Sequence, residues 1–301
     1  MNEVKQTTAL VLGCLGMASN GLLTIVLGRK RARWNNLNLQ MVVSICVVDF
    51  FATFLVFIKE ILSFSIGNRI LFSSKWFCPY FGTLLHVLPC LSIVLISVMS
   101  LDRYRIVVHG FSIRSLWGWL IVLTVGGGAS TLLIANTAIN GLRTNPSFTL
   151  CHPDNPTGLT FAAHRIVTAA IVLGLAIVSF CYVGIYLHCR KNLIAFRKMS
   201  WRFLFILAAH HVCWLPKFVI SLWEFFSHQK EIPMLLYDIG SLGLLLLFAI
   251  NPLLVIGFQA SLRKEVFSLL THSSSLNRDH ISSPTDLKPS EGWLKHQTLW
   301  V

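Results

Sequence analysis

From Trp76 to Leu101 the chain carries no Asp, Glu, Lys or Arg, and then Asp102, Arg103 and Tyr104 arrive together. Wound as a helix, a run of that length crosses the hydrocarbon core of a bilayer, which needs about 20 apolar residues. The stretch Cys78–His109 therefore predicts a membrane helix that ends in a polar cluster. The cluster has two readings. Arg103 and Arg105 mark the cytoplasmic flank of the span, or Asp102 holds Arg103 in a charge pair until the surrounding helices move.

The rest of the chain repeats the pattern. Apolar segments run at about 8–27, 39–63, 76–108, 116–136, 161–188, 201–226 and 232–258, which predicts seven spans. With 54% hydrophobic and 12% charged residues, the composition lies outside the range of soluble domains. The net charge of +13 would suggest nucleic acid in a soluble protein, but here the basic residues sit in short connections between apolar runs. That distribution suits anionic lipid at the inner membrane surface and excludes a nucleic-acid partner.

Charge also gives the orientation. Arg29, Lys30, Arg31 and Arg33 follow the first span, Arg103, Arg105 and Arg114 surround the third connection, and Arg190, Lys191, Arg197, Lys198 and Arg202 lie between spans five and six. The alternate connections mix signs, as in Lys59 with Glu60, Arg143 with Asp154 and Lys230 with Glu231. The basic set belongs in the cytoplasm, so the N-terminus is expected outside and the tail inside, with the plasma membrane as the location. No cleavable leader is expected, since the first polar residues run straight into an apolar span. The expected division is a short extracellular N-terminus (1–7), a seven-span all-α bundle (8–258), an amphipathic cytoplasmic helix (259–270) and a disordered tail (271–301). In the amphipathic segment Phe258, Leu262, Phe267, Leu269 and Leu270 are expected on one face, with Arg263, Lys264 and Glu265 opposite. The tail is serine-rich and holds Pro284 and Pro289.

Several polar residues lie deep in the spans. Asp49, in the second, costs several kcal/mol to bury as an unpaired carboxylate, which marks it as functional. Asn20 in the first is equally a packing contact or a functional group. Pro216 and Pro252 predict bends in spans six and seven, with Trp214 and Asn251 beside them. Tyr182 lies about two turns inside the basic end of span five and needs a partner for its hydroxyl. The chain has 8 cysteines and no CxxC pair, so no zinc or redox motif is expected, nor any cofactor.

In order along the chain, Asn20, Asp49, Cys78 followed by Asp102-Arg103-Tyr104, Tyr182, Cys213-Trp214-Leu215-Pro216 and Asn251-Pro252 resemble the motifs of the rhodopsin-like (class A) G protein-coupled receptors. The resemblance covers Asn20 to about Leu270. It implies a receptor that senses an extracellular ligand and activates a heterotrimeric G protein, without catalysis in the chain. Asp102, Arg103, Tyr104, Tyr182, Trp214, Pro216, Asn251 and Pro252 are then expected to form the activation and coupling machinery. Asn20, Asp49, Ser92 and Asn251 are expected to form a polar hub with weak sodium sensitivity at Asp49, because Leu247 and Phe248 offer no side-chain oxygen. Cys78 and Cys151 both lie on the outer side, where disulfides form, and a bond between them would pin the loop over the third span. The serine-rich tail suggests arrestin as a further partner.

The chain departs from the family pattern at Val255, where a tyrosine is usual, at His210 in place of a phenylalanine, and at Gly174 in place of a proline. No acid lies between Asp154 and Glu224, so the base of span six has none to hold Arg103, and raised basal activity is expected. If Trp119 is the family's helix-four tryptophan, the second inner connection is unusually short. The resemblance implies a ligand pocket of Leu85, His86, Pro89, His164, Arg165, Trp214, Lys217, Ser221, Glu224, Tyr237 and Asp238. Lys217 either forms an ion pair with Glu60 or Asp238 or awaits an anionic ligand group. The pocket is expected to take a small or lipid-like ligand. The alternatives are a non-signalling member of the fold and a proton-relaying transporter using Asp49, His210 and His211.

Overall fold

The structure is a computed structural model describing residues 2–29, 37–67, 70–71, 77–140, 142–144, 151–153, 159–192, 194–226, 234–258, 262–264 and 266–267. Helix α1 spans Asn2–Gly28 and α2 Leu37–Ile66. Helix α3 is a continuous rod made of Thr83–Tyr104 with wider, π-type turns at Phe77–Gly82 and Arg105–His109. Helix α4 likewise joins Ser115–Ile121, Val122–Gly127 and Gly128–Asn140. Helices α5, α6 and α7 are Leu159–Asn192, Ile194–Phe226 and Met234–Phe258. Between α4 and α5 a small antiparallel hairpin pairs β1 (Leu142–Thr144) with β2 (Cys151–Pro153), with Thr144 opposite Cys151.

The all-α bundle of the sequence reading is what forms. Among the described residues, six helices are long and apolar enough to cross a membrane: all but α6, where many side chains lie outside the described set. Large apolar side chains such as Leu15, Phe51, Leu123, Leu173, Phe180 and Val212 face outward, as lipid requires and water would not tolerate in such number. Neighbours run α1, α2, α3, α5, α6, α7 and back to α1, with α4 docked on α3 and α5. The α3 span is 61% buried against 28% for α4, so α3 is the axis of the bundle.

Two apolar clusters fill the interior. One, toward the hairpin end, gathers Val87, Ile93, Ile171, Leu175, Trp214 and Leu247. The other, toward the opposite end, gathers Leu23, Leu27, Met41, Val98, Tyr182 and Ile185. Close helix approaches depend on missing side chains. A Cβ at Gly243 would lie 2.7 Å from the Cys213 carbonyl oxygen, so α7 rests on the backbone of α6 just before Trp214. A Cβ at Gly174 would lie 2.9 Å from Ile93 Cγ1. Gly174 thus gives α5 a tight seat on α3 where a proline ring would not fit.

Two local details extend the sequence reading. Helix α1 runs back to Asn2 because Lys5 and Gln6 have partners within the bundle: Lys5 pairs with Asp238 of α7, and Gln6 Nε2 donates to Ser63 Oγ of α2 at 3.0 Å. Residues 2–7 are therefore helical. In the segment after α7, Leu262 and Val266 are the buried pair, whereas Phe267 is 69% exposed. The i, i+4 spacing sets Leu262 and Val266 on one face and turns Phe267 well away from it. Phe258, Leu269, Leu270 and Glu265 lie outside the described side chains, as does all of the 271–301 tail.

Candidate functional site

The middle of the bundle holds a polar cluster built on Asp49. Its carboxylate is fully buried and accepts from Ser92 Oγ of α3 at 2.8 Å and from Asn251 Nδ2 of α7 at 3.3 Å. Three helices thus meet on one side chain. Each donor lowers the cost of the buried acid, and the acid in turn satisfies two groups that would otherwise be stranded in an apolar interior. Asn20 does not reach Asp49. Its amide donates instead to the Gly16 carbonyl within α1 and to the Phe248 carbonyl of α7, both at 2.9 Å. Ser19 adds a bond to the Ala249 carbonyl at 3.3 Å. Asn20 therefore clips α1 to α7, while Asp49 ties α2 to α3 and α7. Leu247 and Phe248 are buried beside this region and supply only apolar side chains. No cluster of three His, Cys, Asp or Glu occurs among the described residues.

At the end opposite the hairpin, the Asp102 carboxylate is 1% exposed and accepts from the backbone N–H of Ile113 at 2.7 Å. The α3–α4 connection is only Gly110–Arg114, as short as the position of Trp119 suggested. Gly110 turns the chain at φ +79°, a conformation open to glycine at little cost, and Ile113 is buried in the apolar cluster. The Arg105 guanidinium lies over the Phe111 ring at 4.3 Å. Arg103 and Tyr104 are half-buried, and Tyr104 packs its ring against Phe180 of α5 at 5.5 Å. Gly184 gives Tyr104 its room, since a Cβ there would overlap the ring. Tyr182 is 1% exposed within the same cluster, and Val255 packs against that cluster from α7.

Trp214 is buried in the hairpin-side cluster two residues before Pro216, and its Nε1 has no partner among the described residues. His210 is buried; His211 is half-buried, with Nδ1 2.8 Å from the Leu207 carbonyl and Nε2 2.7 Å from Ser179 Oγ of α5.

Of the expected pocket residues, Pro89 is buried, and Leu85, His86, Arg165, Lys217, Tyr237 and Asp238 are half-buried. The side chains of His164, Ser221 and Glu224 lie outside the described residues, as do those of Cys78 and Cys151. Neither acid expected beside Lys217 pairs with it. Glu60 binds Lys59 at 2.6 Å, and Asp238 binds Lys5. Sequence neighbourhood would have given the first pair; the second needed the knowledge that α1 reaches as far out as α7.

Sequence reasoning also missed the polar ties at the rim of the bundle. Gln40 Oε1 accepts from both Ser115 Oγ and Trp119 Nε1 at 2.8 Å, joining α2 to α4. Ser97 Oγ bonds the Gly174 carbonyl at 3.2 Å, joining α3 to α5. The signal available was a polar residue inside an apolar run, which these share with Asp49.

The profile of the 7 transmembrane receptor (rhodopsin family) matches residues 19–254, which is most of the chain and includes the Asp49 and Asp102 clusters. The chain belongs to the rhodopsin family of seven-transmembrane receptors. The receptor is similar to Chemerin-like receptor 2 of Macaca fascicularis, at 24% identity over 297 residues, covering 88% of this chain and 81% of that protein. The Homo sapiens Chemerin-like receptor 2 gives 24% over 298 residues with the same coverage. That of Rattus norvegicus gives 26% over 224 residues, 66% of this chain and 62% of its own length. The receptor is thus a multi-pass membrane protein of a family that signals through G proteins, and membership favours signalling over the transporter alternative.

Proposed function

We propose that the receptor sits in the plasma membrane with the β-hairpin end outside, senses a small or lipid-like ligand there, and activates a heterotrimeric G protein at the end where Asp102 lies. The observation that carries this reading is the family match across residues 19–254, with Asp49, Ser92 and Asn251 drawn together as the motif order requires. The basic connections on the Asp102 side support the orientation. The chain acts without catalysis, with anionic lipid against its basic face and arrestin on its serine-rich tail as further partners. Identity of 24–26% supports the receptor class; the choice of ligand rests on the residues lining the hairpin end.

In this reading Asp102, Arg103, Tyr104, Tyr182, Trp214, Pro216, Asn251 and Pro252 carry the conformational change, and the Asp49 cluster is its pivot. Cys78 and Cys151 are cross-linked; support comes from the backbone of the hairpin, which packs on the Phe77–Gly82 turn. Raised basal activity follows from one feature of the sequence: around the base of α6 stand Arg197, Lys198 and Arg202 and no acid that could hold Arg103. Against this, Val255 cannot hydrogen-bond toward Tyr182 as a tyrosine would, a loss on the order of 1 kcal/mol.

The test is nucleotide exchange on a panel of purified G proteins by the reconstituted receptor without ligand, for the native chain, Arg103→Ala and Val255→Tyr. Native exchange above the receptor-free rate, its loss in the first variant and a gain in the second are expected. A native receptor that is silent, and stays silent with Val255→Tyr, would point to a non-signalling member of the fold.

A further inference from the structure

Lys217 stands on the interior stripe of α6. His210, Cys213, Trp214 and Ile220, at helical spacing around it, are buried, while Val212, Leu215 and Val219 on the other side are exposed to lipid. Its backbone abuts α7: a Cβ at Gly240 would lie 3.5 Å from Lys217 N and 3.7 Å from its Cα. The side chain is half-buried, and among the described residues no acid pairs with it, because Glu60 and Asp238 are engaged by Lys59 and Lys5. An interior cation in a membrane bundle is costly unless something negative meets it. One turn toward the bundle centre, the buried Trp214 offers a second donor, Nε1, with no partner among the described residues. Around Trp214 lie Val87, Cys90, Ile171 and Leu247, all apolar.

We propose that Lys217 and Trp214 Nε1 form the head-group site for a carboxylate whose body lies on this apolar floor, so that the ligand is a monoanionic amphiphile. The inference deepens the receptor reading and rests on it. A single ammonium balances the one negative charge of a carboxylate, whereas a phosphate dianion would leave a second charge unmatched in an apolar interior. The ammonium supplies charge, the indole N–H supplies direction, and among the described residues neither group has to leave a protein partner to bind. The same chemistry serves a free carboxylic acid or the terminal carboxylate of a short apolar peptide.

The test uses thermal unfolding of the full chain in discs of zwitterionic lipid, without G protein. The probes are octanoate, decanoate and benzoate, each against its alcohol, and an apolar tripeptide against its C-terminal amide. At least one carboxylate should stabilise saturably where its neutral counterpart does not; whether acids or the peptide do so identifies the source. Lys217→Met should weaken that binding about tenfold or more, Lys217→Arg should retain most of it, and ligand-free Lys217→Met should unfold at a higher temperature than the native chain. The proposal falls if no carboxylate outperforms its neutral counterpart, if the preference survives Lys217→Met, or if ligand-free Lys217→Met is less stable than native. Carboxylate binding that obeys these rules in a chain that never drives nucleotide exchange would sink the receptor reading and leave the site standing.

Discussion

Replacing Gly243 by alanine tests how closely α6 and α7 are locked. The added Cβ would lie 2.7 Å from the Cys213 carbonyl oxygen, and ordinary contact begins near 3.4 Å, so the shortfall is about 0.7 Å. The obstacle is backbone, which no rotamer change can clear, so the helices must part. Overpacking of this kind costs about 1–3 kcal/mol, and the backbone obstacle argues for the upper half. Alanine recovers about 0.5–1 kcal/mol as the better helix former. The net expectation is a loss of about 1–2 kcal/mol. Gly257 on the same helix is the control, since nothing lies within 4 Å of its Cβ position and alanine there should gain the propensity term alone. Gly240 falls between, because its nearest obstacle is Ile220 Cδ1 at 2.9 Å, the end of a flexible side chain. The measurement is denaturant or thermal unfolding of the three purified variants, followed by tryptophan fluorescence. The order Gly257→Ala, Gly240→Ala, Gly243→Ala from most to least stable is expected, with about 2–3 kcal/mol from end to end. A Gly243→Ala protein as stable as Gly257→Ala would refute the close seat.

Gln40→Leu strips the shared acceptor from Ser115 and Trp119, and should destabilise by about 1–3 kcal/mol, less if Trp119 is already phenylalanine; a double-mutant cycle on unfolding reads the coupling. Asp102→Ala frees the Ile113 amide, which should then exchange with deuterium at least tenfold faster in native-state measurements, while amides in the middle of α3 keep their protection. Sodium should stabilise the receptor weakly and Asp49→Asn should abolish what there is; strong sodium stabilisation that survives the substitution would contradict Asp49 as the ligand. Mass mapping of non-reduced peptides should find Cys78 joined to Cys151, with reduction costing about 2–4 kcal/mol in unfolding, and free thiols at both positions would refute the bond.

The sequence carried the bundle well, because a membrane span announces itself through length and absence of charge, and motif order along seven such spans is hard to imitate. The Asp49 partners were legible for the same reason: a buried acid must find donors, and Ser92 and Asn251 stood at the right depth. Partners across distant helices were less so. Asn20 bonds two backbone carbonyls, and no side-chain pattern advertises a carbonyl. The fate of Lys217 turned on Lys5 and Lys59, whose reach depends on where α1 starts and how α2 ends. Phe267 faces outward where Leu262 and Val266 face the bundle, a division that composition alone does not set in so short a helix.

The short turn after α3 has a consequence for whatever meets that end of the molecule. Gly110 sets its direction, Asp102 grips its Ile113 amide, the Ile113 side chain is sunk in the interior, and Phe111 is held under Arg105. Ordering a free stretch of backbone costs about 1–2 kcal/mol per residue, and here folding has already absorbed that cost for Gly110–Arg114. A protein docking on this turn meets a preorganised shape and gives up little entropy in fixing it. Substitutions at its exposed positions should therefore change binding through lost contacts, mainly in the dissociation rate, while those at Gly110 or Asp102 should loosen the surface itself and weaken every partner that uses it.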